Sequence, residues 1–310
     1  MKKISIITPC YNESENIEDL VLSVRKVFLE KQKNYQFEHI VIDNNSSDGS
    51  KEILKRLANK FKELKVIINT RNFGHIQSPH YARLQSSGDA IINLAADFQD
   101  PPELILNFIK EWENGSKVVL GIKSNKTDEN FFLKIARDSY YRFLLKISDI
   151  KMYRNFSSYC LIDRTVLESI RNQDDDYPYF RGLISSMGYK VKKIYYDKNS
   201  RKKGVSKNNF YTLYDIGVLG ITRYSKLPLR LCILVGFSLT LVSITVGIAY
   251  GIYKIIFWED FFSGFAPIVI LFTFLTSFIL FFMGVMGEYI LMLSNKFNTI
   301  KVIEEERINF

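Results

Sequence analysis

Asn93-Leu94-Ala95-Ala96-Asp97-Phe98-Gln99-Asp100-Pro101-Pro102-Glu103 continues the apolar run Ala90-Ile91-Ile92. The run reads as a buried strand. The proline pair ends it, and Glu103 with the apolar residues behind it starts a helix. Asp97, Gln99 and Asp100 therefore lie at the carboxyl end of a strand, where open α/β sheets bind ligands. Oxygen ligands on alternate residues suit a hard divalent cation that already carries phosphate oxygens. Taken alone, such a D-x-x-D turn reads equally well as an acidic turn with helix-capping residues, so the flanking sequence has to decide.

Upstream, Ile4–Thr8, His39–Ile42 and Val66–Ile68 are short β-branched runs. Each ends in a polar loop: Pro9–Glu13, Asp43–Ser50 and Arg71–Gly74. Between them lie helical patterns. One covers Asn16–Glu30, with Ile17, Leu20, Val21, Val24, Val27 and Phe28 on one face; the next carries Ile53, Leu54 and Leu57; a third covers Ser78–Gln85. Downstream, Lys117–Gly121 is a further strand and Phe131–Ile147 a further helix. The alternation predicts a doubly wound, mostly parallel α/β sheet. The first loop contains no glycine, which argues against a G-x-G-x-x-G dinucleotide site and against a P-loop.

With 310 residues, 47% of them hydrophobic, the chain can bury a sizeable soluble core and more besides. A formal charge of +9 suits anionic partners: phosphate groups, an anionic membrane face or nucleic acid. Cys10, Cys160 and Cys232 are too few and too scattered for a disulfide framework, which fits a reducing cytoplasm. Met1-Lys2-Lys3 runs straight into a strand too short for a signal peptide, so export of the N-terminal part is not expected. His39, His75 and His80 lack metal-ligand spacing and read as structural or solvated.

The C-terminal third changes character. Lys190–Lys207 is strongly basic, with Tyr195 and Tyr196 interleaved. Charge alone would allow nucleic-acid binding, but the next segment, Phe210–Ile221, reads as an amphipathic helix for a membrane surface, so no nucleic acid is expected. Leu229–Phe257 and Phe265–Leu293 are apolar and each long enough to cross a bilayer. Arg223, Lys226, Arg230, Lys296 and Lys301 flank them, while the link Trp258–Gly264 is acidic. The positive-inside rule then puts both chain ends in the cytoplasm of a multi-pass inner-membrane protein. The expected organisation is 1–208 as a cytoplasmic α/β domain, 209–227 as an amphipathic connector, and 228–310 as two transmembrane helices (229–257 and 265–293) with a cytoplasmic tail. Glu288 either reaches water near a helix end or contacts a partner helix. Two-span anchors often associate, so a homo-oligomer is compatible with this plan.

Pro9–Ile17 (PCYNESENI), the Asp43–Gly49 turn, Arg71–Gly74 (RNFG), Ala96–Glu103 (ADFQDPPE), Ile162–Arg164 (IDR) and Arg201–Lys207 (RKKGVSK) occur in one order. Together they resemble the inverting glycosyltransferases of family 2 with a GT-A fold. The similarity is closest to bacterial polyprenyl-phosphate glycosyltransferases and runs along essentially the whole chain. The resemblance implies that Pro9, Tyr11, Asn12, Glu13, Ala96 and Asp97 surround the nucleotide and that Asp43 holds the base, usually uracil. It implies Mg2+ or Mn2+ on Asp97 and Gln99. It sets Arg201, Ser206 and Lys207 on a loop over the phosphates or the acceptor. Asp97, Asp163 and Arg201 become the candidate catalytic residues. Arg137 is either a solvated residue on a core-packed helix or a contact of the lipid phosphate, and Asp163 is either an acceptor-side polar residue or a helix cap.

The chain departs from the pattern at three places. Ala95 stands where a first aspartate usually completes D-x-D, Asn44 where a second aspartate follows Asp43, and Ser158 where an aspartate commonly precedes the IDR motif. A strong base is dispensable if the acceptor is a phosphate monoester, whose second pKa is near ~6, so that it is already an anionic nucleophile. Catalysis then reduces to positioning plus stabilisation of the leaving nucleotide. The expected activity is inverting transfer of a sugar from a nucleoside diphosphate sugar, of the UDP type, to polyprenyl (undecaprenyl) phosphate, for cell-envelope glycan or O-antigen modification. The alternative is a membrane-anchored nucleotide-sugar-binding scaffold without catalysis, for which the three departures speak.

Overall fold

The computed structural model describes residues 1–31, 34–124, 146–148, 150, 152–199, 210–257, 265–298 and 300–310. The helix expected over Phe131–Ile147 with Arg137, the basic loop with Arg201, Ser206 and Lys207, and the link Trp258–Gly264 fall wholly or almost wholly outside the described residues. The strands are Lys3–Cys10 (β1), Gln36–Asp43 (β2), Leu64–Asn69 (β3), Ala90–Asn93 (β4), Val118–Lys123 (β5), Phe156–Asp163 (β6), Val191–Tyr196 (β7) and Glu304–Ile308 (β8). Among the described residues they form one sheet in the order β7-β5-β6-β4-β1-β2-β3-β8. β3, β2, β1 and β4 run parallel; β6 is antiparallel to both β4 and β5.

The described α-helices are Ile17–Lys26 (α1, continued by a π-helical turn over Val27–Lys31), Ser50–Lys60 (α2), Gly74–Leu84 (α3), Leu104–Glu113 (α4), Arg164–Arg171 (α5), Phe180–Ser186 (α6), Phe210–Tyr224 (α7), Leu227–Ile256 (α8) and Phe265–Asn298 (α9). Side chains alternate across a strand, so each central strand feeds two cores. Ile4, Ile6, Val41 and Ile92 face a layer that includes α1, α2 and α4, while Ile7, Ile40, Ile42 and Ile91 face one that includes α5 and α6. That is why the strands read as unbroken apolar runs rather than as alternations. In α1, burying Ile17, Leu20, Val21 and Val24 contributes about 1.5–3 kcal/mol per side chain.

Beyond β7 the chain leaves the sheet. α7 packs on the α/β domain: Leu219 joins Tyr179 and Met152, and Arg223 pairs with Asp175 and donates to the Tyr177 carbonyl. The Tyr224 ring occupies the place a side chain on Gly182 would need. α8 and α9 turn apolar side chains outward, as at Ile233 (72% exposed) and Phe272 (71%). Within them, Leu227–Val246 and Phe274–Ser294 are long and apolar enough to cross a membrane, with mean hydropathy 2.1 and 1.8. Tyr214 of α7 donates to Glu288 at 3.2 Å, so that carboxylate contacts a neighbouring helix.

The tail beyond α9 then returns to the sheet. β8 pairs antiparallel with β3, Val66 opposite Ile308. The Asn309 amide donates to the carbonyls of Ala58 (2.7 Å) and Leu64 (2.9 Å). No such strand is expected from the sequence Glu-Glu-Glu-Arg-Ile.

Candidate active site

Two loops at the carboxyl ends of β1 and β2 are fastened to each other. The amides of Asn12, Glu13 and Ser14 donate to Ser46 Oγ (2.8 Å), Ser50 Oγ (3.0 Å) and Asp48 Oδ2 (2.9 Å). Asn12 Oδ1 accepts from the Ser47 amide at 2.8 Å, and Asn12 holds φ at 54° to do so. Asn12 is thereby committed to shaping the loop. Glu13 accepts from Asn16 Nδ2 at 2.8 Å and starts α1 through its carbonyl. Tyr11 remains exposed at the tip, and Pro9 lines the neighbouring cleft. Asp43 is fully buried and takes both the amide (2.8 Å) and the hydroxyl (2.5 Å) of Ser46. Burial raises its pKa, against the lowering effect of those two bonds.

Asn44 has a structural explanation that a carboxylate could not supply. Its Nδ2 donates to Asn72 Oδ1 (2.7 Å) and the Gly74 carbonyl (3.2 Å). Its Oδ1 accepts from Asn69 Nδ2, the Phe73 amide and Ser78 Oγ. Only an amide donates and accepts in this way. The residue knits the loop after β3 and the start of α3 to the end of β2.

The turn after β4 is built around Phe98. Its φ of 57° is uncommon for a bulky residue and sends the ring into the core, leaving Asp97 and Gln99 half-exposed on either side. Asp97 Oδ1 accepts from the Gln99 amide at 3.2 Å. Asp100 is buried and held by the Tyr196 hydroxyl (2.5 Å) and Lys123 (3.4 Å), so it belongs to the scaffold. Tyr159 reinforces this by donating to the Pro101 carbonyl at 2.7 Å. Among the described residues no three His, Cys, Asp or Glu side chains cluster as a metal site. The donors at the turn are the Asp97 carboxylate and the Gln99 amide. So lean a set fits a divalent cation that arrives carrying diphosphate oxygens, rather than a free ion.

Asp163 does not join this group. β6 runs antiparallel to β4, with Ala90 opposite Asp163 and Asn93 opposite Cys160. Asp163 thus lies three residue pairs, about 10 Å, back from Asn93 and away from the Asp97 turn. Its carboxylate caps α5 through the Thr165 amide (2.9 Å) and accepts from Trp112 Nε1 (2.7 Å). Of its two sequence readings, the helix cap is the one found. The same strand direction carries Ser157 and Ser158 to the site instead. Both line a cleft of about 240 Å³ with Pro9, Arg83, Asn93 and Ala95. Ser158, at φ 79°, occupies a bulge opposite the irregular stretch of β5. Sequence reasoning passed over Arg83, Asn93 and Ser157, because none stands in a motif and only the strand order brings them together.

The Asp97 turn and the loops locked at the ends of β1 and β2 thus gather at the carboxyl ends of neighbouring parallel strands, where open α/β sheets bind ligands. Residues 5–171 match the family described as glycosyl transferase family 2. The chain belongs to that family: it is a glycosyltransferase with a GT-A domain. It is 30% identical to the prophage bactoprenol glucosyl transferase homolog of Escherichia coli K12, over 93% of each chain. Identity and coverage are the same for the bactoprenol glucosyl transferase of Shigella phage SfX. Among solved structures, the mannosyltransferase PcManGT from Pyrobaculum calidifontis, in complex with GDP-Man and Mn2+, aligns with a TM-score of 0.47 at 15% identity, over 96% of this chain and 88% of that one.

Proposed function

We propose that this protein is a membrane-bound inverting glycosyltransferase that moves a sugar from a UDP-linked donor to polyprenyl phosphate, for modification of a cell-envelope glycan. The observation that carries the reading is the pairing of β8 with β3. A tail strand hydrogen-bonded into the same sheet as β1 lies on the same side of any membrane as that sheet. The chain between them then crosses an even number of times, and α8 and α9 are each long enough to cross once. The positive flanks put that common side in the cytoplasm, where nucleotide sugars are the natural donors. The site is then tethered beside the bilayer that holds a polyprenyl phosphate. The names of the two bacterial and phage relatives, which refer to bactoprenol, point to the same acceptor.

In this reading Pro9, Tyr11, Asn12, Glu13, Asp43 and Ala96 form the nucleotide wall. Asp97 and Gln99 hold Mg2+ or Mn2+, which supplies positive charge to the departing diphosphate. Arg137, Arg201, Ser206 and Lys207 serve the acceptor phosphate. Asp163 is left out, since it is a helix cap. The acceptor phosphate attacks the anomeric carbon in line without a protein base, which suits a Ser at position 158. The test is incubation of the purified protein with undecaprenyl phosphate, divalent metal and a panel of nucleotide sugars, with mass spectrometry of the lipid and determination of the product anomer. A glycosylated lipid of inverted configuration is expected. Nucleotide binding without transfer from any donor would instead establish the scaffold alternative, and a retained anomer would refute the in-line step.

A further inference from the structure

The cleft beside the Asp97 turn has a cation in its floor. Arg83, on α3, is 5% exposed, yet among the described residues it has no carboxylate partner. Its contacts are neutral. Nε donates to Asn93 Oδ1 at 3.0 Å, Nη1 lies 3.4 Å from His80 Nδ1, and the guanidinium stacks on Phe180 at 3.9 Å. No described neighbour supplies the missing charge. Burial, aided by Arg83 itself, lowers the His80 pKa to about 3, and burial pushes the Cys160 thiol up to about 12, so both are neutral. Among the described residues that line the cleft the one acidic side chain is Asp100, already held by Lys123 and Tyr196. A buried guanidinium without a counter-ion is costly and rare.

The rest of the lining suits an anion as well. Arg181 stands on the wall, and Ser157 and Ser158 offer hydroxyls. The volume of about 240 Å³ is room for about eight waters, the scale of a single sugar ring or a phosphate group. We propose that the floor of this cleft is an oxyanion site built on Arg83, which selects a substrate carrying a carboxylate or phosphate group there. Given the donor and acceptor classes proposed above, the oxyanion is either an acidic substituent on the transferred sugar or the phosphate of the lipid. Arg83 is then a specificity-determining residue.

The test uses the full-length protein in nanodiscs with Mn2+, titrated with UDP-glucose, UDP-glucuronate or undecaprenyl phosphate. Two variants accompany it. Arg83→Met keeps the apolar stem against Phe180; Asn93→Asp keeps the arginine but puts a carboxylate against it. If the oxyanion is on the sugar, UDP-glucuronate binds about 10- to 100-fold more tightly than UDP-glucose, and both variants lose the difference. If it is the lipid phosphate, the two nucleotide sugars bind alike and both variants weaken undecaprenyl phosphate by a similar factor. Variants that fold and bind all three ligands within about twofold of wild type overturn the proposal. If Arg83→Met does not fold, Asn93→Asp decides alone. Sugar transfer measured on the same samples separates the two readings. Transfer without Arg83-dependent discrimination sinks only the oxyanion site; discrimination without transfer from any donor of the nucleotide-sugar panel sinks only the activity.

Discussion

Replacing Asn44 by Asp should destabilise the domain in a pH-dependent way, although a second aspartate at this point is the pattern the family resemblance implies. The amide makes two donor bonds, to Asn72 Oδ1 and the Gly74 carbonyl, and three acceptor bonds, from Asn69, Phe73 and Ser78. A carboxylate loses both donor bonds, at about 0.5–1.5 kcal/mol each, and turns a negative oxygen on two acceptors in a buried setting. The three donors bind a charged oxygen more strongly, which offsets part of the loss. The net expectation near neutral pH is a loss of about 2 kcal/mol, or about 4–8 °C in Tm for a domain of this size. Burial and the adjacent Asp43 disfavour a second charge, so the new carboxyl should have a folded pKa above its unfolded one. Such a group adds stability below the unfolded pKa and loses it as pH rises through the folded pKa. Protonated, it again donates to Asn72. Thermal unfolding of wild type and variant, followed by intrinsic fluorescence from pH 4 to pH 8, reads this directly. The deficit should narrow toward acid. A variant as stable as wild type at pH 7, or a deficit that widens toward acid, refutes the account of Asn44 as an amide lock.

The remaining expectations concern other parts of the chain. Asp97→Asn should cut metal-dependent sugar transfer by about 100-fold or more while leaving Tm unchanged, because the carboxylate sits on a half-exposed turn; transfer rates with Mn2+ and Mg2+ check it. Burial tends to raise the Glu38 pKa, but bonds from Lys3, Lys65, Ser5 and Ser87 outweigh it and hold the pKa at about 2. Its stabilisation is therefore full above the unfolded carboxylate range and lost as pH falls through about 2, so Glu38→Gln should cost about 3 kcal/mol at pH 7 and progressively less in acid, as pH-dependent denaturation will measure. Deleting residues 302–310 should bare the β3 edge, lower Tm and promote association. Asn309→Ala alone should cost about 1–2 kcal/mol, since Ala58 and Leu64 lose their side-chain donor; calorimetry and light scattering distinguish the two effects.

Local chemistry wrote much of this molecule into its sequence. The β-branched runs at Ile4, Ile40 and Val66, each followed by a polar loop and an apolar helix face, are short-range patterns with one economical solution, a wound α/β sheet. The Ala96–Glu103 turn and the two C-terminal apolar stretches were legible for the same reason, since composition and spacing suffice to mark them. What residues do at long range was not legible. Asp163 and Ser158 lie five positions apart on one strand, and only the antiparallel course of β6 decides that the serine meets the cleft while the aspartate caps a helix. Glu304–Ile308 has little strand propensity of its own; it is a strand because the open edge of β3 supplies its hydrogen bonds. Arg83 reads as an ordinary helix residue until the fold closes over it and leaves its charge without a partner among the described residues. Pairing partners, strand direction and burial are properties of the assembled chain, and they settled which polar groups face the site.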